Sequence, residues 1–123
     1  GVYGKGISNY IQDISGSGLD LVPSATAEGK LKAFNAWGGY IGFSHNWSKV
    51  LTSNIMYSYA RVLDRYGMPA TSYKYAQYAA ANLFWDFSEY GSCAIEYVFG
   101  RRNDFNKDYG NASRINTMIQ YRF

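Results

Sequence analysis

The chain has 123 residues, with 13 Tyr and 13 Gly against two Pro, and a net charge of +3. That length bounds it to one domain or a piece of one, and no stretch approaches the roughly 20 apolar residues of a membrane helix. A single cysteine, Cys93, excludes an internal disulfide and a multi-cysteine zinc site, and twelve scattered basic residues argue against nucleic-acid binding.

Aromatic and glycine-rich composition favours strands and turns, and period-two alternation marks six of them. The chain opens at Gly1 in what already reads as strand, without initiator Met or signal peptide, and is read as a piece of a longer protein. The first segment, residues 3–13, is the least regular. The others are expected at 32–47, 50–62, 73–87, 92–102 and 112–123. Most exceed the five or six residues usual in soluble sheets and match the roughly 9–11 needed to cross a bilayer at a tilt. The connections alternate: 14–31 long, 46–50 short, 63–72 long, 87–91 short, 101–111 long and polar. Long outer loops and short periplasmic turns are the habit of outer-membrane barrels. The expected fold is therefore all-β, an antiparallel up-and-down meander of about six strands over residues 1–123, forming the C-terminal segment of a transmembrane β-barrel.

Successive strand side chains point to opposite faces. In the last strand Ile115, Thr117, Ile119, Tyr121 and Phe123 oppose Arg114, Asn116, Met118, Gln120 and Arg122. Before it, Cys93, Ile95, Tyr97 and Phe99 oppose Glu96 and Arg102, and Ala79, Ala81, Leu83 and Trp85 oppose Lys74, Tyr78, Asn82 and Asp86. Leu51, Ile55, Tyr57 and Tyr59 oppose Thr52, Asn54 and Ser58, while Trp37, Ile41, Phe43 and Trp47 oppose Tyr40, Ser44 and Asn46. Asn35, Ser53 and Gln77 fall on the apolar face, and Phe84 and Val98 on the polar one, against the pattern.

Aromatic position orients the wall. Trp47, Trp85, Phe87, Tyr121 and Phe123 fall near one rim, and Trp37, Tyr59, Tyr75 and Phe99 near the other. Ile41, Ile55, Ala81, Ile95 and Ile119 lie between. Two aromatic girdles around an aliphatic band are what amphipathic rings produce at bilayer interfaces. The apolar face is therefore expected to meet lipid and the polar face to line a lumen.

The ending Met118-Ile119-Gln120-Tyr121-Arg122-Phe123 resembles the terminal strand of bacterial outer-membrane proteins. The stretches 38–47, 78–85 and 95–102 further resemble the C-terminal part of DcaP-like porins, over most of the chain from Lys32 onward. The resemblance implies an outer-membrane location and Tyr121 and Phe123 as the signal read by the barrel-assembly machinery. It also implies a larger trimeric barrel passing small, often anionic, solutes, with this chain supplying about its last third.

The functional candidates are the lumen-side residues Arg102, Arg114, Arg122, Glu96, Lys74, Asn82, Asn116 and Gln120, because charged rings in a pore bias the permeating ion. Against this stands the plainer reading that Arg102 and Glu96 pair across a wet wall at little energy. No enzyme, metal or cofactor is expected. His45, the sole histidine, has no second ligand or acidic partner nearby, and Cys93 has no histidine partner and lies on the apolar face. The run Asp104–Gly110 resembles the start of a calcium loop, but its glycine comes one position late and its twelfth position is Ile115. Gly4-Lys5-Gly6 and Ser15-Gly16-Ser17-Gly18 lack the helix a phosphate loop needs, and the Asn46 and Asn111 triplets are of the kind that arise by chance. Passive passage of small hydrophilic solutes is the expected function. The alternatives are a soluble barrel of six to eight strands that binds an apolar ligand, and a non-conducting membrane anchor or scaffold. Taken alone, six strands leave two open edges, expected to pair between copies or to close into a small barrel.

Overall fold

The computed structural model describes residues 1–11, 18, 20–24 and 29–123. Among these residues eight strands form: β1 (Val2–Lys5), β2 (Leu21–Pro23), β3 (Leu31–Ala33), β4 (Asn35–Asn46), β5 (Leu51–Val62), β6 (Tyr73–Asp86), β7 (Gly91–Asp104) and β8 (Tyr109–Tyr121), with one 3₁₀ turn at Ser8–Tyr10. β1, β4, β5, β6, β7 and β8 pair in that order in one antiparallel sheet, and β2 and β3 make a separate hairpin. The fold is all-β, a six-stranded meander with one excursion between β1 and β4.

Three expectations need correction. The first strand is not continuous from Tyr3 to Asp13. It ends at Lys5, because Gly6 takes a left-handed φ of +63° and turns the chain into the 3₁₀ segment; positions 12 and 13 lie outside the described residues. The second strand is two strands. Leu31–Ala33 pairs with β2, and the chain bends at Phe34, whose N–H donates to the Asp20 carbonyl (3.0 Å) and whose carbonyl accepts from Gly6 (2.9 Å).

The connection expected to be long between β7 and β8 is only Phe105–Asp108, as short as Trp47–Val50 and Phe87–Tyr90. Polar side chains did not prevent zipping, since ladder bonds come from the backbone: Arg101 pairs with Asn111, Arg102 with Gly110 and Asn103 with Tyr109. The turn closes through the Asp104 N–H on the Asp108 carbonyl (2.9 Å), with Lys107 left-handed at φ 75°. The alternation of long and short connections therefore fails at its last step, leaving Leu63–Ser72 and the excursion as the long ones.

In all five ladders odd residues pair with odd and even with even, up to a bulge between Tyr73 and Tyr75. Residue parity therefore names the face of the whole sheet. Phe43, Ile55, Ala81, Tyr97 and Ile115 form one row across five strands, and Ile41, Tyr57, Ala79 and Phe99 the next. This odd face is uncovered: Ile41 is 72% exposed, Ile115 67% and Ile119 84%. β1 and β8 are the two edges of an open sheet, so the self-closed small barrel does not form.

The buried core is small and lies on the even face at the loop end. Phe34, Ala36, Ala60 and Val62 are almost wholly buried with Ile11 and Tyr73, and Ile7, Val22, Tyr66, Met68 and Ala76 pack around them. Gly38 lets Ile11 approach: a Cβ there would meet Ile11 Cγ2 at 2.8 Å. The excursion thus folds across the even face instead of standing above the rim.

Asp64, just past β5, ties that end together by accepting from the Asn35 backbone N–H (3.0 Å) and side-chain amide (2.6 Å). Partial burial opposes ionisation, but these donors and the charge of Lys32 outweigh it and hold the carboxyl below its ordinary value of 3.8. A depressed folded-state value means stability that is present above the unfolded value and lost as pH falls through the folded one. The advantage of the protein over Asp64→Asn, read as urea midpoints from about pH 7 to about pH 3, is expected to shrink below pH 3.8.

Candidate functional site: the even face of the sheet

At mid-height the even face carries a ladder of amides centred on one carboxylate. Register aligns Asn54, Asn82, Glu96 and Asn116 across β5, β6, β7 and β8. Asn54 Nδ2 donates to Asn82 Oδ1 (2.7 Å), Asn82 Nδ2 points at Glu96 Oε2 (3.5 Å), and Asn116 Nδ2 donates to Glu96 Oε1 (2.8 Å). Every amide directs a proton toward Glu96. The carboxylate is held from both flanks by neutral donors, which fixes its rotamer without cancelling its charge. Each amide keeps a second N–H, and the Asn54 and Asn116 oxygens are left to accept, so the row offers both senses of hydrogen bond to a polar solute.

The pairing of Arg102 with Glu96 is not what the structure has. Arg102 Nε bonds Asp104 Oδ1 at 2.8 Å, the sole ion pair among the described residues. Arg114 lies opposite Val98, exposed and without an ion-pair partner among the described residues. Four residues separate Arg114 from Gly110, the partner of Arg102, which is ~14 Å of strand; Arg122 lies eight further on, ~27 Å away. The three arginines are strung along the wall and form no cluster.

Arg122 sits just beyond β8, with its N–H on the Tyr90 carbonyl (2.8 Å). It lines an open pocket of about 430 Å³ at the short-turn end with Lys49, Asp86, Glu89 and Ser92. Gln120 pairs with Ser92 on the same face. Lys74 falls in the β6 bulge, its ammonium 6.0 Å from the Phe105 ring, away from the amide row.

The odd face shows its rings in two sets. At the loop end Trp37 contacts Tyr59 (4.9 Å between centroids) and Tyr59 stacks on Tyr75 (5.5 Å). At the short-turn end Phe43, His45 and Trp47 follow one another, Trp85 meets Phe87 (5.9 Å), and Tyr121 lies between Tyr90 and Phe123. Phe99 lies one row inside the loop-end set, beside Ala79. Two of the polar residues out of pattern have partners: Ser53 accepts from the Trp47 indole (2.9 Å), and Asn35 is engaged by Asp64. Val98 is buried beside Ala80 on the even face, and Phe84 lies opposite Ala94 there.

Among the described residues no group of three or more His, Cys, Asp and Glu side chains converges on a metal-sized site. Asn106 and Asp108 serve the hairpin itself, through the Asn106–Asp108 side-chain bond and the Asp108 N–H on Asn106 Oδ1 (3.0 Å), and the Asp104 carboxylate is taken by Arg102. No helix in the described residues is long and apolar enough to cross a membrane, which leaves strands as the way any crossing would be made. Comparison with protein-family models, curated proteins and solved structures finds no match.

Proposed function

We propose that this sheet is part of the wall of a bacterial outer-membrane pore, with the odd face against lipid and the even face lining a water-filled path for small hydrophilic solutes. The observation that carries the reading is the exposure of the odd face: Ile41, Phe43, Ile55, Ile95, Ile115 and Ile119 form a continuous apolar surface that nothing among the described residues covers. A water-exposed monomer rarely tolerates such a patch, and burying one of these side chains is worth about 1.5–3 kcal/mol. The soluble barrel alternative requires that face to enclose something, whereas the sheet is open and its core lies on the opposite side. Depth agrees as well. Arg101 to Gly91 on β7 covers ~34 Å, or ~26 Å at a tilt of about 40°, against an apolar band of about 25 Å in transmembrane barrels.

Transport follows from the even face. Water wets the amide row, the excursion narrows the loop-side mouth, and Arg114, which has no ion-pair partner among the described residues, biases the path toward anions. Trimeric assembly and insertion through the terminal strand Met118–Phe123 belong to the same reading.

Exchanging Arg102, Arg114 and Arg122 for Ser is expected to move the reversal potential of the full-length protein, in a salt gradient across a planar bilayer, toward cation preference. Arg114→Ser should supply most of the shift, because Asp104 already offsets Arg102. An unchanged reversal potential removes the anion preference; a bilayer that stays silent removes conduction and leaves a non-conducting anchor.

A further inference from the structure

The carboxylates of the sheet are sorted by face, while its cations lie on both. Asp86, Glu96 and Asp104, the strand carboxylates, all lie on the even face. The odd face carries no carboxylate in any of its six strands, and three cations: Lys5, Arg61 and Arg101. All three lie at the loop end, on β1, β5 and β7, every second strand of the sheet and therefore about 10 Å apart laterally. The short-turn end of the same face has rings and no charged strand residue.

From this we infer that the loop-side border of the apolar face binds a lipid with a phosphate headgroup, Arg61 and Arg101 contacting the phosphate and the acyl chains lying on the aliphatic rows below. The inference rests on the reading of the odd face as lipid-facing. Arg61 lies between Trp37 and Tyr75 in register, and its Nε is buried without any hydrogen-bond partner. Its guanidinium is held among rings and bonded to the Tyr59 side chain, with Nε enclosed, so an anion arriving from the membrane surface would meet the terminal nitrogens. Arg101 lies over the Tyr109 ring (4.4 Å) with Nε on Asn103 Oδ1 (3.2 Å), which leaves its terminal nitrogens for a ligand. Neither arginine has an ion-pair partner among the described residues. The acid that reaches this side, Asp64, is occupied by Asn35. Gln77 and Asn111, flanking Arg101 in register, are neutral donors for the remaining headgroup oxygens. Charge complementarity selects an anionic headgroup, and the border position beside Tyr57, Phe99 and Ile41 selects one carried by an acyl chain.

The test is native mass spectrometry of the full-length protein in nonionic detergent, titrated with phosphatidic acid and, separately, with the diacylglycerol that lacks the phosphate. Retention of phosphatidic acid over diacylglycerol is expected, weakened about tenfold to thirtyfold in Arg61→Ser/Arg101→Ser. Arg102→Ser/Arg114→Ser, on the opposite face, should leave it unchanged, and Arg61→Lys/Arg101→Lys should restore part of it if the first double variant folds poorly. Equal retention in the Arg61/Arg101 variant and the parent overturns the site while leaving the lipid-facing reading intact. Full displacement by inorganic phosphate overturns the lipid as occupant. A protein that stays folded and monomeric without detergent overturns the lipid-facing reading and the site with it.

Discussion

Ile55→Arg is expected to remove about 2–4 kcal/mol of stability when the protein is unfolded by urea from phospholipid vesicles. Ile55 lies in the middle row of the odd face, flanked by Phe43 and Ala81, and is well exposed. On a lipid-facing surface an arginine at mid-depth must be solvated by thinning the bilayer or by drawing water down to it, and strand geometry gives its side chain no nearby interface to reach. The next residue, Met56, points to the other face beside Gly42 and Ala80. Met56→Arg would extend into water there, so its cost is expected to stay within about 0.5–1 kcal/mol. The contrast is the informative quantity, because both variants sit on the same strand one residue apart and share backbone propensity. If the odd face met water instead, Ile55→Arg would replace an exposed apolar side chain with an exposed polar one, and the two variants would differ little. Equal midpoints for Ile55→Arg and the parent would thus remove the membrane from the functional reading.

What the linear sequence made legible was parity. Alternation in 112–123 and 92–102 assigned Arg114, Asn116 and Gln120 to one face and Ile115, Ile119 and Tyr121 to the other, and the ladders place them so. This works because each connection preserves the odd-with-odd pairing, so one alternation runs from β4 to β8, broken only at the Tyr73/Tyr75 bulge. Register was not legible. The row Asn54–Asn82–Glu96–Asn116 requires knowing which residue faces which, and that is set by turn geometry. The four residues at Phe105–Asp108 turned tightly where a polar run suggested a loop. Arg61 and Arg101 were visible by parity alone as odd-face cations. Parity alone gives such cations no role, because a charge on an apolar face gains one only from its position at the border of the aliphatic rows. The excursion was the least legible part: its packing depends on Phe34, Ile11 and Tyr66 meeting in space, and all three are remote from one another in sequence.

That excursion is also where the largest loss of stability is expected. Phe34 is 1% exposed, enclosed by Ile11, Ala36, Ala60, Val62 and Tyr73, with the Tyr66 ring at 5.5 Å. Truncating a buried phenylalanine leaves a cavity that small neighbours such as Ala36 and Ala60 cannot fill, at a cost of about 3–5 kcal/mol for Phe34→Ala. Among the described residues little else holds this region: β1 pairs with β4 over four residues, and β2 with β3 over three. The loss therefore falls on the excursion before it reaches β5–β8, whose long ladders do not depend on Phe34. Hydrogen exchange is expected to show lost protection at the Gly6 and Phe34 amides, which bond the Phe34 and Asp20 carbonyls, while Ile95 and Tyr97 stay protected. In the pore reading the excursion covers the even face at the loop-side mouth, so releasing it should raise single-channel conductance. Phe34→Leu, which keeps most of the volume, should leave conductance near the parent's. Lost protection at Gly6 and Phe34 with no change in conductance would mean that solutes do not pass beneath the excursion, and would move the narrow point of the path to the amide row around Glu96.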